Sequence, residues 1–105
     1  MIEKEIELIK DIFVDNFAPV KVYLFGSFAD GTANEDSDFD FYVVVKDETK
    51  NLTDLTAQAY KSIRPVKRRA VDIVIGTESR FENRKERMTL ENEVSRKGVL
   101  LYGCE

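Results

Sequence analysis

Two aspartates open an apolar stretch in the first half of the chain, where Asp38 and Asp40 alternate with phenylalanines in the sequence SDFDFYVVV. Side chains of a β-strand point to alternate faces. Both carboxylates are therefore expected on one face, with Cα atoms roughly 6.6 Å apart, and both phenylalanines on the other face, in the core. Asp72 repeats the arrangement later, between a valine and an isoleucine. A carboxylate in such a run is costly if it is buried and unpaired.

A bound cation would explain these three acids. Carboxylates that lie on neighbouring strands and face one way repel each other unless a cation sits between them. The chain contains no histidine, so all the ligands would be oxygens, which indicates a hard ion, and Mg²⁺ fits best. Two such ions roughly 3.5–4 Å apart are a recurrent device for phosphoryl and nucleotidyl transfer.

A Gly-Ser pair ends the first apolar run and fits the same chemistry. Gly26 would let a phosphate approach the backbone, and Ser27 offers a hydroxyl and an amide where a helix could begin. Taken alone, each feature has a simpler explanation, since Gly-Ser often forms a turn and acids often lie on a solvated strand face or an edge strand. Together, and in this order, they favour a site for a metal ion and a phosphate.

The elements that must position these residues follow from the apolar pattern. Apolar residues at three- and four-residue steps predict one helix before Pro19 and a second before Pro65. Strands are predicted at residues 20–25, 39–45, 71–75 and 99–102. A polar segment, residues 77–87, leads into a last helix, and Gly98 fits the residue just past that helix. The order predicts an α/β protein of the α+β type, with a small mixed sheet and helices packed against it.

Length and composition limit the classes of function. We expect one domain over residues 1–105. The net charge of −4 weakens any case for general nucleic-acid binding, which requires a basic surface. No apolar run approaches the ~20 residues of a membrane span, and the N-terminus, MIEKEIELIK, lacks the pattern of a signal peptide. With the single cysteine, Cys104, unable to form an internal disulfide, we expect a cytoplasmic protein.

These motifs resemble a known family. Gly26-Ser27, then ten residues, then Asp38-Phe39-Asp40, with a later strand that carries Asp72, is similar to the pattern of the DNA polymerase β nucleotidyltransferase superfamily. The likeness is greatest to its minimal members, the MNT (minimal nucleotidyltransferase) domains. It covers nearly the whole chain, because the C-terminal ENEVSRKGVLLYG also resembles the ending of these domains.

The resemblance implies a polymerase-β-like fold and a role for each motif. Asp38 and Asp40 would bind the pair of Mg²⁺ ions that holds a nucleoside triphosphate. Asp72 would share the catalytic ion and help to activate an acceptor hydroxyl, and Gly26 and Ser27 would hold the triphosphate. The reaction would transfer a nucleoside monophosphate, with ATP the expected donor and AMP the expected group, and release pyrophosphate.

Minimal members of this family are often paired with a separate helical HEPN protein. In such pairs the HEPN protein is a ribonuclease toxin, and the nucleotidyltransferase acts as the antitoxin by adding AMP to a tyrosine of the toxin. The resemblance thus implies a HEPN-type partner for this chain. That step rests on family analogy and not on any residue of the sequence.

One departure from the family pattern concerns positive charge. The resembling domains commonly carry two arginines just after Gly-Ser, and this chain has Phe28 and Asp30 at those positions. The cations Lys67, Arg68 and Arg69, just before the third strand, are candidates to replace them. A run of charges is more often a solvated face, and we favour that interpretation.

Three alternatives to a nucleotidyltransferase are compatible with parts of the sequence. An EF-hand-like calcium loop could begin at Asp36 and end at Asp47, but that loop needs a glycine at its sixth position, where Phe41 stands. A purely structural domain gives no reason for aligned acids beside a Gly-Ser turn. The serious alternative is a catalytically weak or inactive binding module that neutralises a partner protein by direct contact. The missing arginines favour it, and the three retained acids oppose it.

Overall fold

The computed structural model describes residues 2–103, and Cys104 lies outside them. The helices are α1 (Ile2–Phe17), α2 (Ser27–Asp30), α3 (Leu52–Ile63), α4 (Glu78–Arg84) and α5 (Leu90–Lys97). The strands are β1 (Lys21–Phe25), β2 (Phe39–Val45), β3 (Val71–Thr77) and β4 (Val99–Tyr102). In this described part of the chain, no helix has both the length and the apolar character needed to cross a bilayer.

The four strands form one mixed sheet in the order β3-β2-β1-β4. Strand β1 pairs antiparallel with β2 and with β4, whereas β2 and β3 pair in parallel and are joined through α3. The predicted α+β architecture with a mixed sheet is confirmed. Since β2 and β3 are parallel neighbours, their N-terminal ends lie side by side, and this is where the aspartates stand.

The helices cover both faces of the sheet. Apolar side chains of α1 and α3 pack on one face in a core that includes Phe39 and Phe41. The rings of Phe13 and Phe41 meet edge to face with centroids 5.4 Å apart. The prediction that the two phenylalanines of β2 face the core is confirmed. Burial of each such side chain stabilises the fold by about 1.5–3 kcal/mol, which fixes the register and turns Asp40 to the opposite face.

A smaller core on the second face contains a buried charge. It packs Phe81 of α4 and Val94 of α5 against the sheet. Glu91 is only 3% exposed and accepts hydrogen bonds from the Tyr42 hydroxyl at 2.8 Å and from the Arg84 Nε at 3.0 Å. Burial alone would raise the pKa of the Glu91 carboxyl, but these two bonds, together with a backbone hydrogen bond and the charge of Arg84, lower it. The carboxylate thus fastens α4 and α5 to β2.

Removal of the Tyr42 hydroxyl tests this fastening. Tyr42→Phe keeps the ring packed on Phe81 but takes one donor from the buried carboxylate, so we expect a loss of about 1–2 kcal/mol in the free energy of unfolding. Urea denaturation measures the change. Tyr102→Phe, on a side chain that is 40% exposed, is the control and should leave the stability within about 0.5 kcal/mol. Equal stability of both variants would contradict a role for the bond.

One local prediction differs from the structure, and a second is confirmed. The polar segment before the last helix contains the separate helix α4, whose first turn is held by Thr77 Oγ1 and by Asp47, an acceptor for the Ser79 amide at 2.8 Å. Gly98 follows α5, as predicted, and its φ is −73°. A side chain there would overlap the Val94 carbonyl oxygen. The glycine therefore serves a close backbone approach and not a left-handed cap.

Candidate active site

The sheet brings two of the predicted acids into direct register. Asp40 of β2 is the partner of Asp72 of β3 in the parallel pair, and Phe25 at the end of β1 is the partner of Asp40 on the other side. Asp38 lies immediately before β2 and is exposed, as is Asp72, whereas Asp40 is partly buried. The three carboxylates therefore lie at the end of the sheet where β1 leads into the Gly26-Ser27 turn.

The charges of these acids act on each other. The pKa of the Asp40 carboxyl is raised to about 6, first by its burial and then by the negative charges of Asp72 and Asp38. A hydrogen bond with the Asp72 carboxyl group raises the pKa of Asp40 further. Glu93 of α5 adds a weaker repulsion. Sequence reasoning missed Glu93, because an acid in a charged helix resembles any solvated residue.

Both the backbone conformation at Gly26 and the nearby Asp40 require a glycine at this position. Its φ of 76° and ψ of −154° lie in a region that is essentially limited to glycine. A β-carbon at this position would overlap the Oδ2 atom of Asp40. The carbonyl of Gly26 accepts the amides of Ala29 and Asp30 at 3.0 and 3.1 Å, so α2 begins at Ser27, as the sequence suggested. The turn is thus packed directly against the most perturbed carboxylate.

The three candidate cations before β3 have different surroundings. Lys67 and Arg68 are exposed and border a cavity of about 580 Å³ beside α1, on the sheet face opposite the carboxylates. Their exposure agrees with a solvated face. Arg69 differs, because it is partly buried and its guanidinium carbon lies 5.1 Å from the ring centroid of Phe28 and 4.9 Å from that of Phe39. The solvated-face interpretation is wrong for Arg69.

The residues present suit a hard cation through their donor atoms. Among residues 2–103 no three acidic or other ligating side chains stand in a finished metal-binding arrangement. Asp40 and Asp72 nevertheless lie opposite each other on β2 and β3. Among the described residues, no lysine or arginine forms a salt bridge with either of them. Burial and then the negative charge of Asp72 raise the pKa of Asp40, and a divalent ion would relieve the repulsion between the two carboxylates. An oxygen-only donor set of this kind fits Mg²⁺.

Comparison with known proteins identifies the family of the chain. A family model for a nucleotidyltransferase domain matches residues 6–97. A search of curated proteins finds no significant match.

Solved structures share the fold. A crystal structure of a toxin–antitoxin with AMP-PNP is similar at 24% identity and a TM-score of 0.66, over 96% of this chain and 74% of that chain. A candidate nucleotidyltransferase from Sulfolobus solfataricus is similar at 24% identity and a TM-score of 0.66, over 95% and 78%. The toxin–antitoxin MntA-HepT is similar at 21% identity and a TM-score of 0.53, over 99% and 74%. At these identities the likeness establishes the fold.

Proposed function

Because the chain belongs to the nucleotidyltransferase domain family, we propose that it transfers a nucleoside monophosphate from a nucleoside triphosphate to an acceptor hydroxyl. The acceptor oxygen forms a bond to the α-phosphorus, the bond between the α-phosphorus and its bridging oxygen to the β-phosphorus breaks, and pyrophosphate leaves. The observation that carries this proposal is the alignment of Asp40 with Asp72 across two parallel strands, with Asp40 packed against Gly26.

Each residue of the site has a proposed part. Asp38, Asp40 and Asp72 hold the metal ions, and Asp72, which is exposed, also orients the acceptor hydroxyl, whose proton passes to a carboxylate of the site. Gly26 and Ser27 hold the triphosphate, because the turn lies beside Asp40 and a glycine leaves its backbone accessible. Two bound Mg²⁺ ions would supply positive charge to the triphosphate and to the transition state.

The donor and the partner are narrower proposals. We propose ATP as donor and AMP as the transferred group, since a structure with the same fold is that of a toxin–antitoxin with AMP-PNP. A second protein as acceptor is supported by the similarity to the toxin–antitoxin MntA-HepT. From the family resemblance we propose a helical HEPN-type toxin, modified on a tyrosine. The chain would then act as its antitoxin.

A calorimetric titration tests the proposed function. ATP is titrated with and without Mg²⁺ into the wild-type protein and into Asp38→Asn/Asp40→Asn. We expect binding that requires Mg²⁺ and weakens at least about 100-fold in the double variant. Groups that contact the ion directly matter more than the groups that only support them, whose loss already weakens metal affinity about 10–100-fold. Absence of Mg²⁺-dependent binding to the wild-type protein would contradict a nucleotide site in the isolated chain.

The residues Phe28 and Asp30 favour a second candidate function. These residues stand where the resembling family carries arginines, which removes two positive charges from the triphosphate side. A binding module that neutralises its partner by contact alone would not need those charges. The same double variant separates the two functions. An inhibitor that acts by contact keeps its effect on the partner's activity when Asp38 and Asp40 become asparagine, whereas an enzyme loses it.

A further inference from the structure

Arg69 connects the three segments that carry the site. We propose that it is a positioning residue, which clamps the entry of β2 so that Asp38 is presented beside Asp40 and Asp72. The consequence for metal and nucleotide binding rests on the proposed function. The clamp itself rests only on contacts within the chain.

The contacts of Arg69 reach across the end of the sheet. Its guanidinium lies against the rings of Phe28 and Phe39, 5.1 and 4.9 Å from their centroids, and these rings are 4.7 Å apart at 62° to each other. Its Nη1 donates a hydrogen bond to the carbonyl of Ser37 at 3.2 Å. One planar cation thus touches two aromatic rings and one backbone acceptor.

The position of each partner explains the effect on the site. Phe28 is in α2, directly after the Gly26-Ser27 turn, and Ser37 is the residue before Asp38. Arg69 itself stands three residues before Asp72. The Ser37 amide is tied back to the Asn34 carbonyl at 3.1 Å, so the bond from Arg69 holds this turn against the start of β3. Loss of the clamp would release the backbone on the N-terminal side of Asp38.

Among the described residues, no carboxylate forms a salt bridge with the Arg69 guanidinium. In the same part of the chain, its buried Nε has no hydrogen-bond partner. Buried donors of this kind are rare in native structures. The arginine is therefore held by stacking on two rings and by one backbone hydrogen bond. A lysine could supply the charge but not the planar group that stacks and donates together.

The first measurement of the clamp is independent of any ligand. Amide exchange by NMR reports on Ser37 in wild-type protein, Arg69→Met and Arg69→Lys. Arg68→Met is the matched control, because Arg68 is exposed and its contact with Glu5 uses the backbone amide. We expect exchange at Ser37 to accelerate at least about tenfold in both Arg69 variants and to remain unchanged in Arg68→Met. Unchanged exchange in Arg69→Met, or wild-type exchange in Arg69→Lys, overturns the clamp.

The second measurement follows the site with Mn²⁺ as a spectroscopic probe. Electron paramagnetic resonance gives the Mn²⁺ affinity. We expect it to fall about 10–100-fold in Arg69→Met, which is the usual loss when a group that supports a metal ligand is removed. If Arg69→Met fails to fold by circular dichroism, Phe28→Leu takes its place, because it removes one stacked ring and leaves the guanidinium. Unchanged Mn²⁺ affinity in the folded variant overturns the proposal that Arg69 positions Asp38 for metal binding. A wild-type protein that binds no Mn²⁺ contradicts the proposed function, while the exchange data still decide on the clamp.

Discussion

Asp40→Asn is expected to stabilise the metal-free protein and to abolish its Mg²⁺-dependent nucleotide binding. In the wild-type protein the Asp40 carboxyl is partly buried and faces Asp72 and Asp38, which raises its pKa from 3.8 to about 6. An ionised Asp40 therefore opposes folding at neutral pH. Asparagine has the same shape without the charge, and its amide can donate to Asp72.

The size of the gain follows from the pKa of Asp40. A rise of about two units corresponds to about 3 kcal/mol if the whole interaction is felt. Asp40 is partly exposed to solvent and salt, which screen the repulsion, so we expect a gain of about 1–2 kcal/mol in the free energy of unfolding. For a domain of this size the Tm should rise by about 5 °C or more.

The dependence on pH has a definite sign. Between about pH 4 and pH 6 the folded protein keeps a proton on Asp40 that the unfolded chain has lost, so the stability contributed by this group falls as the pH rises. Above about pH 6 no further change arises from Asp40. The advantage of Asp40→Asn over wild type should thus be small near pH 4 and complete above about pH 7.

Thermal melts across pH, with and without MgATP, measure both effects. MgATP at 100 times its Kd stabilises a binding protein by about 2.7 kcal/mol, so the order of Tm should invert when MgATP is added, with wild type above Asp40→Asn. Asp36→Asn, in the exposed loop two residues before Asp38, is the control and should follow wild type. If Asp40→Asn is less stable than wild type at pH 7, the proposed repulsion between the Asp40 carboxylate and its acidic neighbours is contradicted.

The strand periodicity explains why the acids were predictable from the sequence. Phe39 and Phe41 can bury their rings only on one face, so Asp40 must point to the other. The pairing of Asp40 with Asp72 depends on strand order, which is set by long-range packing of α3 and not by any local pattern. The sequence limited the acids to one face and left their register undetermined.

The features that the sequence did not predict have a common cause. Helix α4 has one buried residue, Phe81, so it shows no apolar stripe, and its first turn depends on Asp47 from the end of β2. Arg69 stands in a run of three cations, and nothing in that run tells it apart from Arg68. Its neighbours Phe28 and Ser37 come from distant parts of the chain. Features that depend on tertiary contacts cannot be predicted from the local sequence.

Gly26→Ala is expected to remove Mg²⁺-dependent nucleotide binding, with a loss of at least about 100-fold, comparable to the loss of a ligand. The new methyl group would meet the Asp40 carboxylate, so either Asp40 leaves its place opposite Asp72 or the turn moves away from the acids. The backbone would also hold alanine at φ 76° and ψ −154°, a strain of about 1–3 kcal/mol. Calorimetry with MgATP and urea denaturation measure the two effects.

Gly31→Ala separates backbone strain from the contact with Asp40. Gly31 also has a positive φ, 83°, but a β-carbon there has no atom within 4 Å. We expect Gly31→Ala to lose about 1 kcal/mol of stability and to bind MgATP within about threefold of wild type. In an Asp40→Ala background, Gly26→Ala should lose less stability than in wild type, since only the backbone strain remains. An equal loss of stability in both backgrounds would contradict the contact with Asp40. Gly26 would then be required only for the backbone conformation of the turn.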